Sequence, residues 1–178
     1  VKAPLLNNYR FTACADSYTA HARGYHMGIA IFSTWPIVAQ GTLHFPDELN
    51  NLCLWADLRI GADTVRVYTA HLASLRFGDP DYAFMRSIDQ GGGSDSIATA
   101  GPRIMARLKD AFIRRSREVA RITKHMRTCP WPIVYCGDLN DTPMSYSYHE
   151  LRRAGLEDAF VESGQGLGHT YIGEFPSF

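Results

Sequence analysis

The feature that most constrains this chain is a long stretch of helical periodicity set between strand-like segments. Over residues 103–127, Ile104, Leu108, Ala111, Phe112, Val119, Ile122 and Met126 fall on one side of a helical wheel. Arg103, Arg107, Arg114, Arg117, Arg121 and Lys124 fall on the other. Upstream, residues 25–32 read as a mostly apolar strand, and residues 37–45, beyond Pro36, read as a second, which suggests a hairpin. In residues 52–60, Leu52, Leu54, Ala56, Leu58 and Ile60 alternate with other types, the pattern of a strand with one face in the core. Gly61, Ala62 and Asp63 turn the chain into residues 64–71, an antiparallel neighbour with Val65 and Val67 on one face and Tyr68 on the other. Downstream of the helix, residues 131–136 form a short apolar run suited to a central strand buried on both faces. Strands that pair, then a helix, then a buried strand imply sheets covered by helices.

Composition is compatible with that core and narrows the partners. The 178 residues are 46% apolar and 12% aromatic, enough for one domain with a sizeable interior. Eighteen basic residues balance eighteen acidic ones, so no strong positive field advertises a polyanion, although a nucleic-acid substrate is permitted. Apolar stretches such as residues 27–32 are far shorter than the roughly 18 residues of a membrane span. The sequence opens on Val1 and not Met, without a basic segment followed by an apolar one, so any targeting signal is expected upstream or already removed, and localisation is not legible. Cys14, Cys53, Cys129 and Cys136 form no CxxC pair and read as buried free thiols.

Residues 74–102 are rich in Gly, Asp, Ser and Pro, include Gly91, Gly92 and Gly93, and read as a long loop or insertion. The basic side of the 103–127 helix reads as a solvated face, with phosphate binding as the minor alternative. Arg115 is different, because it falls inside the apolar arc, where an unpaired cation is costly. A buried carboxylate partner is expected, with Asp57 and Asp158 as candidates. Residues 145–154 look helical, with Ser147 and Glu150 in capping-box spacing and Gly155 as a stop.

The residues that could carry chemistry stand at strand ends. Asp138 and Asn140 leave the 131–136 run two apart, so a carboxylate and a carboxamide project together. The carboxylate can face a divalent metal, and the amide can donate to a phosphoryl oxygen. A Gly-Asp followed by Asn-Asp is equally what a plain turn looks like. His71 ends its own strand beside the long segment, where it is either structural or able to stabilise charge on a phosphoryl group.

Three segments together resemble the endonuclease/exonuclease/phosphatase superfamily. Gly28-Ile29-Ala30-Ile31-Phe32-Ser33 with Trp35-Pro36-Ile37 resembles its early apolar strand followed by Pro-Ile. Val67-Tyr68-Thr69-Ala70-His71-Leu72 resembles the strand ending Thr-x-His-Leu. Gly137-Asp138-Leu139-Asn140-Asp141-Thr142-Pro143 is similar to the Gly-Asp-Phe-Asn-Asp-x-Pro motif, with Leu139 in place of Phe. Ser145-Tyr146-Ser147-Tyr148 and Gly168-His169-Thr170-Tyr171 resemble the bacterial branch, which makes His169 a poor match for the family's general base.

The resemblance implies an α+β fold, a two-sheet β-sandwich flanked by helices in the four-layer manner of deoxyribonuclease I, present incompletely over one domain, residues 1–178. It implies catalytic roles for His71, Asp138 and Asn140, with His71 at the scissile phosphate and Asp138 toward a bound Mg²⁺ or Mn²⁺. Asp141 would buttress the turn. The family's metal-binding Glu and its Asp-His pair have no counterpart here, so the chain reads as a fragment, inactive alone, of a metal-dependent phosphoesterase. The substrate would be a phosphate ester of unknown identity. A non-catalytic binding module that keeps the fold is the alternative.

Overall fold

The computed structural model describes residues 8–20, 25–45, 51–75, 77–89, 94–166, 168 and 170. Gly91 to Gly93, His169 and Tyr171, singled out in the sequence, lie outside these. Among the described residues six strands form two sheets: β1 (Phe11–Ala20), β2 (Tyr25–Ser33), β3 (Ile37–His44), β4 (Leu52–Ile60), β5 (Asp63–His71) and β6 (Ile133–Asp138). The described helices are α1 (Asp79–Asp89), α2 (Ser94–Met126), α3 (Tyr146–Arg153) and α4 (Ala159–Ser163). The architecture is α+β, two sheets with helices packed outside, as the sequence implied.

β1 and β2 pair antiparallel as one sheet, and β3-β4-β5-β6 form the other. The first three strands of the larger sheet are antiparallel, whereas β6 joins β5 in parallel after the crossover through α1 and α2. The turn at Gly61 is tight because that residue adopts φ 64°, a conformation glycine takes without penalty.

The larger sheet is covered on both sides. One face meets α2 and α3, where Cys53, Tyr68, Ala70, Val119, Ile122, Met126 and Leu151 close into a core with Ile133 and Tyr135 at its margin. The other meets the small sheet, through Leu52, Leu54, Ala56 and Leu58 packed with Ala13 and Ile31. Both covers explain why β4 is buried along nearly its whole length and not on one face only, as its alternation suggested.

Other expectations also need correction. The strands at 25–32 and 37–45 do not pair as a hairpin; β2 pairs with β1 and β3 with β4, because Pro36 and the bend at Thr34-Trp35 carry the chain from one sheet to the other. Residues 79–89 and those from Ser94 are helical, so the 74–102 segment is mostly α1 and the first turns of α2. Its Gly and Pro content misled: Pro102 sits inside α2, which continues at the cost of one backbone hydrogen bond. Ser145, not Ser147, caps α3, its hydroxyl accepting from the Tyr148 amide at 3.2 Å.

β6 is not central. Among the described residues it is an edge strand, with Val134 47% exposed and Cys136 exposed on the face opposite α2; of the four cysteines expected to be buried, Cys136 and Cys14 are exposed and only Cys53 is buried. An apolar run of six residues does not separate a strand covered on both faces from one covered on a single face.

Candidate active site

Parallel pairing brings two strand ends together. In the β5–β6 register His71 stands opposite Asp138, so both residues sit at the carboxyl ends of adjacent strands. Side chains alternate across a strand, which puts both on the face turned away from α2. Gly137 permits this approach, since a Cβ there would lie 2.3 Å from the Ala70 carbonyl oxygen. The glycine of the Gly-Asp motif is thus required by packing against β5.

Beyond Asp138 the chain makes a sharp turn at Asn140, whose φ of 50° lies in the left-handed region that asparagine tolerates better than most residues. Asp138 Oδ1 stabilises the turn by accepting the Asn140 amide at 2.8 Å. The plain-turn and site readings of this motif are therefore compatible, because the turn is what aims the carboxamide. Asn140 Nδ2 donates to the Leu72 carbonyl at 2.8 Å and lies 3.2 Å from His71 Nε2. His71, Asp138 and Asn140, chosen from sequence, are brought together.

The amide orientation follows from its partners. A carbonyl can only accept, so the atom facing Leu72 O must be the NH₂ group. Its second proton faces His71 Nε2, which in accepting it leaves the neutral ring with its proton on Nδ1. Asn140 Oδ1 is the carboxamide's remaining polar atom, and it is an acceptor. In this structure the donors of Asn140 face Leu72 and His71, and its oxygen has the chemistry to accept from a water or to meet a cation.

Arg115 is buried to 1% exposure, as its place on the wheel demanded, but its partner is neither expected carboxylate. Asp57 takes a bidentate pair from Arg66 at 2.6 and 2.7 Å, and that guanidinium stacks 4.1 Å over the Trp55 ring. Asp158 caps α4 and accepts the Tyr148 hydroxyl at 2.9 Å, which holds its carboxyl below the ordinary range. Arg115 Nε instead lies 3.0 Å from Asp141 Oδ2, an ion pair without the alignment of a good hydrogen bond. Its Nη1 donates to the Ala73 carbonyl at 2.9 Å. Burial pulls the Arg115 pKa down, and Asp141 opposes that pull.

Two further residues escaped the sequence reading. Glu118 is buried, its Oε2 accepting the Ala73 amide at 2.8 Å and its Oε1 accepting from Asn51 Nδ2 at 3.0 Å. The available signal was spacing: Glu118 follows Arg115 by three residues and so shares its inward face. Elsewhere on α2, Arg103 and Arg107 both pair with the buried Asp81 of α1 at 3.0 Å, which makes that part of the basic face structural. The Gly78 amide and the two guanidinium groups hold the Asp81 carboxyl below its ordinary range.

The donor chemistry can be weighed against a divalent cation. Asp138 and Asn140 Oδ1 are hard oxygen donors on neighbouring residues, the kind Mg²⁺ and Mn²⁺ take, and Asp138 is exposed. Among the described residues no group of three His, Cys, Asp or Glu side chains is poised to hold a metal. The donor types therefore suit such an ion, and these two residues alone would make up only part of a six-oxygen shell.

Comparison with known proteins bears on the family and the fold. The model of the Endonuclease/Exonuclease/phosphatase family matches residues 2–178. No curated protein matches by sequence. Among solved structures, sphingomyelinase C from Streptomyces griseocarneus is similar over 86% of this chain and 51% of its own, with 18% identity and a TM-score of 0.57. A β-hairpin deletion mutant of beta toxin from Staphylococcus aureus is similar over 86% and 53%, with 13% identity and a TM-score of 0.54. The human nocturnin catalytic domain with bound sulfate is similar over 84% and 50%, with 14% identity and a TM-score of 0.50. At these identities the likeness is one of fold. The chain spans about half the length of each.

Proposed function

This chain belongs to the Endonuclease/Exonuclease/phosphatase family, and from that membership we propose that it carries part of the active site of a divalent-metal-dependent phosphoesterase. The observation that carries the reading is the alignment of His71 with Asp138 across the β5–β6 pair, with Asn140 bridging to the His71 ring. That constellation stands at the carboxyl ends of parallel strands, where backbone and side-chain polar groups converge on one edge of the sheet.

In this reading His71 keeps its proton on Nδ1 and offers that N–H to a phosphoryl oxygen, opposing the charge that builds there as the ester bond breaks. Asn140 holds the ring in that tautomer through Nδ2, which leaves its Oδ1 as the acceptor of the carboxamide. Asp138, one oxygen committed to the turn, has the other for a cation or an attacking water. Asp138 and Asn140 Oδ1 would hold Mg²⁺ or Mn²⁺. Such an ion supplies Lewis-acid neutralisation of the phosphoryl charge when bound. The substrate class is a phosphodiester or phosphomonoester; the balanced charge, eighteen against eighteen, favours a small or lipid-like ester over a long polyanion.

The test is hydrolysis of a generic phosphodiester by the longest natural form of the protein, with and without Mg²⁺ or Mn²⁺. Asp138→Asn should lower kcat/KM by roughly 10² to 10³ while leaving the fold intact. Unimpaired turnover in Asp138→Asn refutes the assignment. Phosphate binding that depends on His71 without any turnover would favour a non-catalytic binding module.

A further inference from the structure

We propose that Arg115 and Glu118 of α2 are positioning residues: by gripping the Leu72-Ala73 step they set where His71 stands relative to Asp138 and Asn140. The proposal rests on the hydrolytic reading of those three residues and goes beyond it by giving a function to a buried polar network that the reaction itself does not use.

Leu72 and Ala73 follow His71 directly and are both fully buried. Their four backbone polar groups all have partners, two from the site and two from the helix. The Leu72 amide donates to the Asp138 carbonyl at 3.0 Å, and the Leu72 carbonyl accepts from Asn140 Nδ2 at 2.8 Å. The Ala73 amide donates to Glu118 Oε2 at 2.8 Å, and the Ala73 carbonyl accepts from Arg115 Nη1 at 2.9 Å. A two-residue segment so held has little freedom to slide or twist, and neither does the strand end it continues.

The same two helix residues reach the strands on either side of His71. In register, His71 lies between Leu52 of β4 and Asp138 of β6. Glu118 Oε1 accepts from Asn51, the residue before Leu52. Arg115 pairs with Asp141, the residue after Asn140. One turn of α2 therefore touches the chain next to each of the three adjacent strand ends.

Stability is a weak reason for this network. Buried charge pairs roughly break even against well-packed apolar residues, because desolvation offsets much of the Coulombic gain. What a network of directed bonds supplies that an apolar contact does not is a single register. A reacting group displaced by about 1 Å can cost about 10²-fold in rate, so fixing the height of His71 to a few tenths of an ångström has direct kinetic value.

The test uses the longest natural form of the protein and reads both turnover and the His71 ring. In Glu118→Gln only one side-chain oxygen remains, so either the Ala73 amide or Asn51 loses its acceptor. This variant should lower kcat about 10-fold, hold KM for a generic phosphodiester within about 2-fold, and shift the His71 ring-nitrogen resonances in NMR. Asn51→Asp combined with Glu118→Gln restores a donor and an acceptor to each contact, and should recover most of kcat and the original His71 resonances. Should Glu118→Gln not fold, Arg115→Lys replaces it: the ammonium keeps its charge against Asp141 but lacks the fork that also reaches Ala73, and the same kinetic and spectroscopic changes are expected. Unchanged His71 resonances and kcat in the folded variant overturn the proposal. So does a loss of activity that merely follows the unfolded fraction and is not recovered by the double variant. Full activity in Asp138→Asn would instead remove the hydrolytic reading, and the His71 resonances would still decide the positioning role.

Discussion

Replacing Asp141 by Asn removes the anionic partner of a guanidinium that is 1% exposed, and the fold should lose about 3 kcal/mol. The magnitude follows from what stays behind. Breaking a buried ion pair by deleting one charge typically costs about 3–5 kcal/mol, because the survivor is left in a poorly solvating interior. Burial is the largest influence on Arg115 and Asp141 its main compensation, with Glu118 a weaker second. Asn preserves the shape of Asp141 and an acceptor oxygen, and Arg115 keeps its bond to Ala73, so the lower end of the range applies. For a chain of this size each kcal/mol corresponds to a melting shift of roughly 2–4 °C, giving about 6–12 °C in all. Urea unfolding is the assay, with the midpoint falling at constant slope. The control is Asp110→Asn: its ion pair with Arg114 has the carboxylate 67% exposed, and its loss should cost under about 0.5 kcal/mol. If Asp141→Asn were no more destabilising than Asp110→Asn, the account of Arg115 as a buried cation held by Asp141 would be wrong.

Three further outcomes are expected. Burial and the Arg66 charge hold His125 below its ordinary 6.5, with its Nδ1 2.8 Å from the Tyr68 hydroxyl, so the unfolded chain binds a proton that the folded one resists. Stability should therefore fall as pH drops below about 6.5, and urea midpoints between about pH 7.5 and 5.5 should converge in His125→Gln; an equal pH dependence in that variant refutes the assignment. Burial pushes the Cys53 thiol up to about 12, whereas Cys14 and Cys136 are exposed, so a thiol reagent at about pH 8 should modify those two first and Cys53 only on unfolding. Comparable labelling rates for Cys53 and Cys136 would contradict the packing. Gly137→Ala places a Cβ against the Ala70 backbone, and should cost about 2 kcal/mol while lowering activity beyond the folded fraction, because Asp138 moves with the strand; a silent substitution would show that β5 and β6 are not so close.

Much of the scaffold was legible because period separates its parts. The alternation in β4, the turn at Gly61 and the apolar stripe of α2 are local signals, and each element formed where they stood. What failed depends on contacts the local pattern does not carry. Whether residues 25–32 pair forward or backward is decided by where Pro36 sends the chain, and whether β6 is covered on one face or two is decided by distant segments.

The site divides along the same line. A strand ending at His71, a long helix and a strand ending at Asp138 already determine much, because two strands joined by a helical crossover pair in parallel and finish at the same edge of the sheet. His71 and Asp138 had therefore to meet if their strands were neighbours, and they are. A helical wheel gives direction but not depth: it turned Arg115 inward without saying which residue of another element lies at its level. Asp141 is reached only because the turn at Asn140, with φ 50°, folds the chain back toward α2. The direction of the Asn140 carboxamide is less local still, since it is fixed by a carbonyl 68 residues earlier in the chain. That single bond commits the NH₂ group of Asn140 and leaves its Oδ1, an acceptor, as the remaining polar atom of the carboxamide.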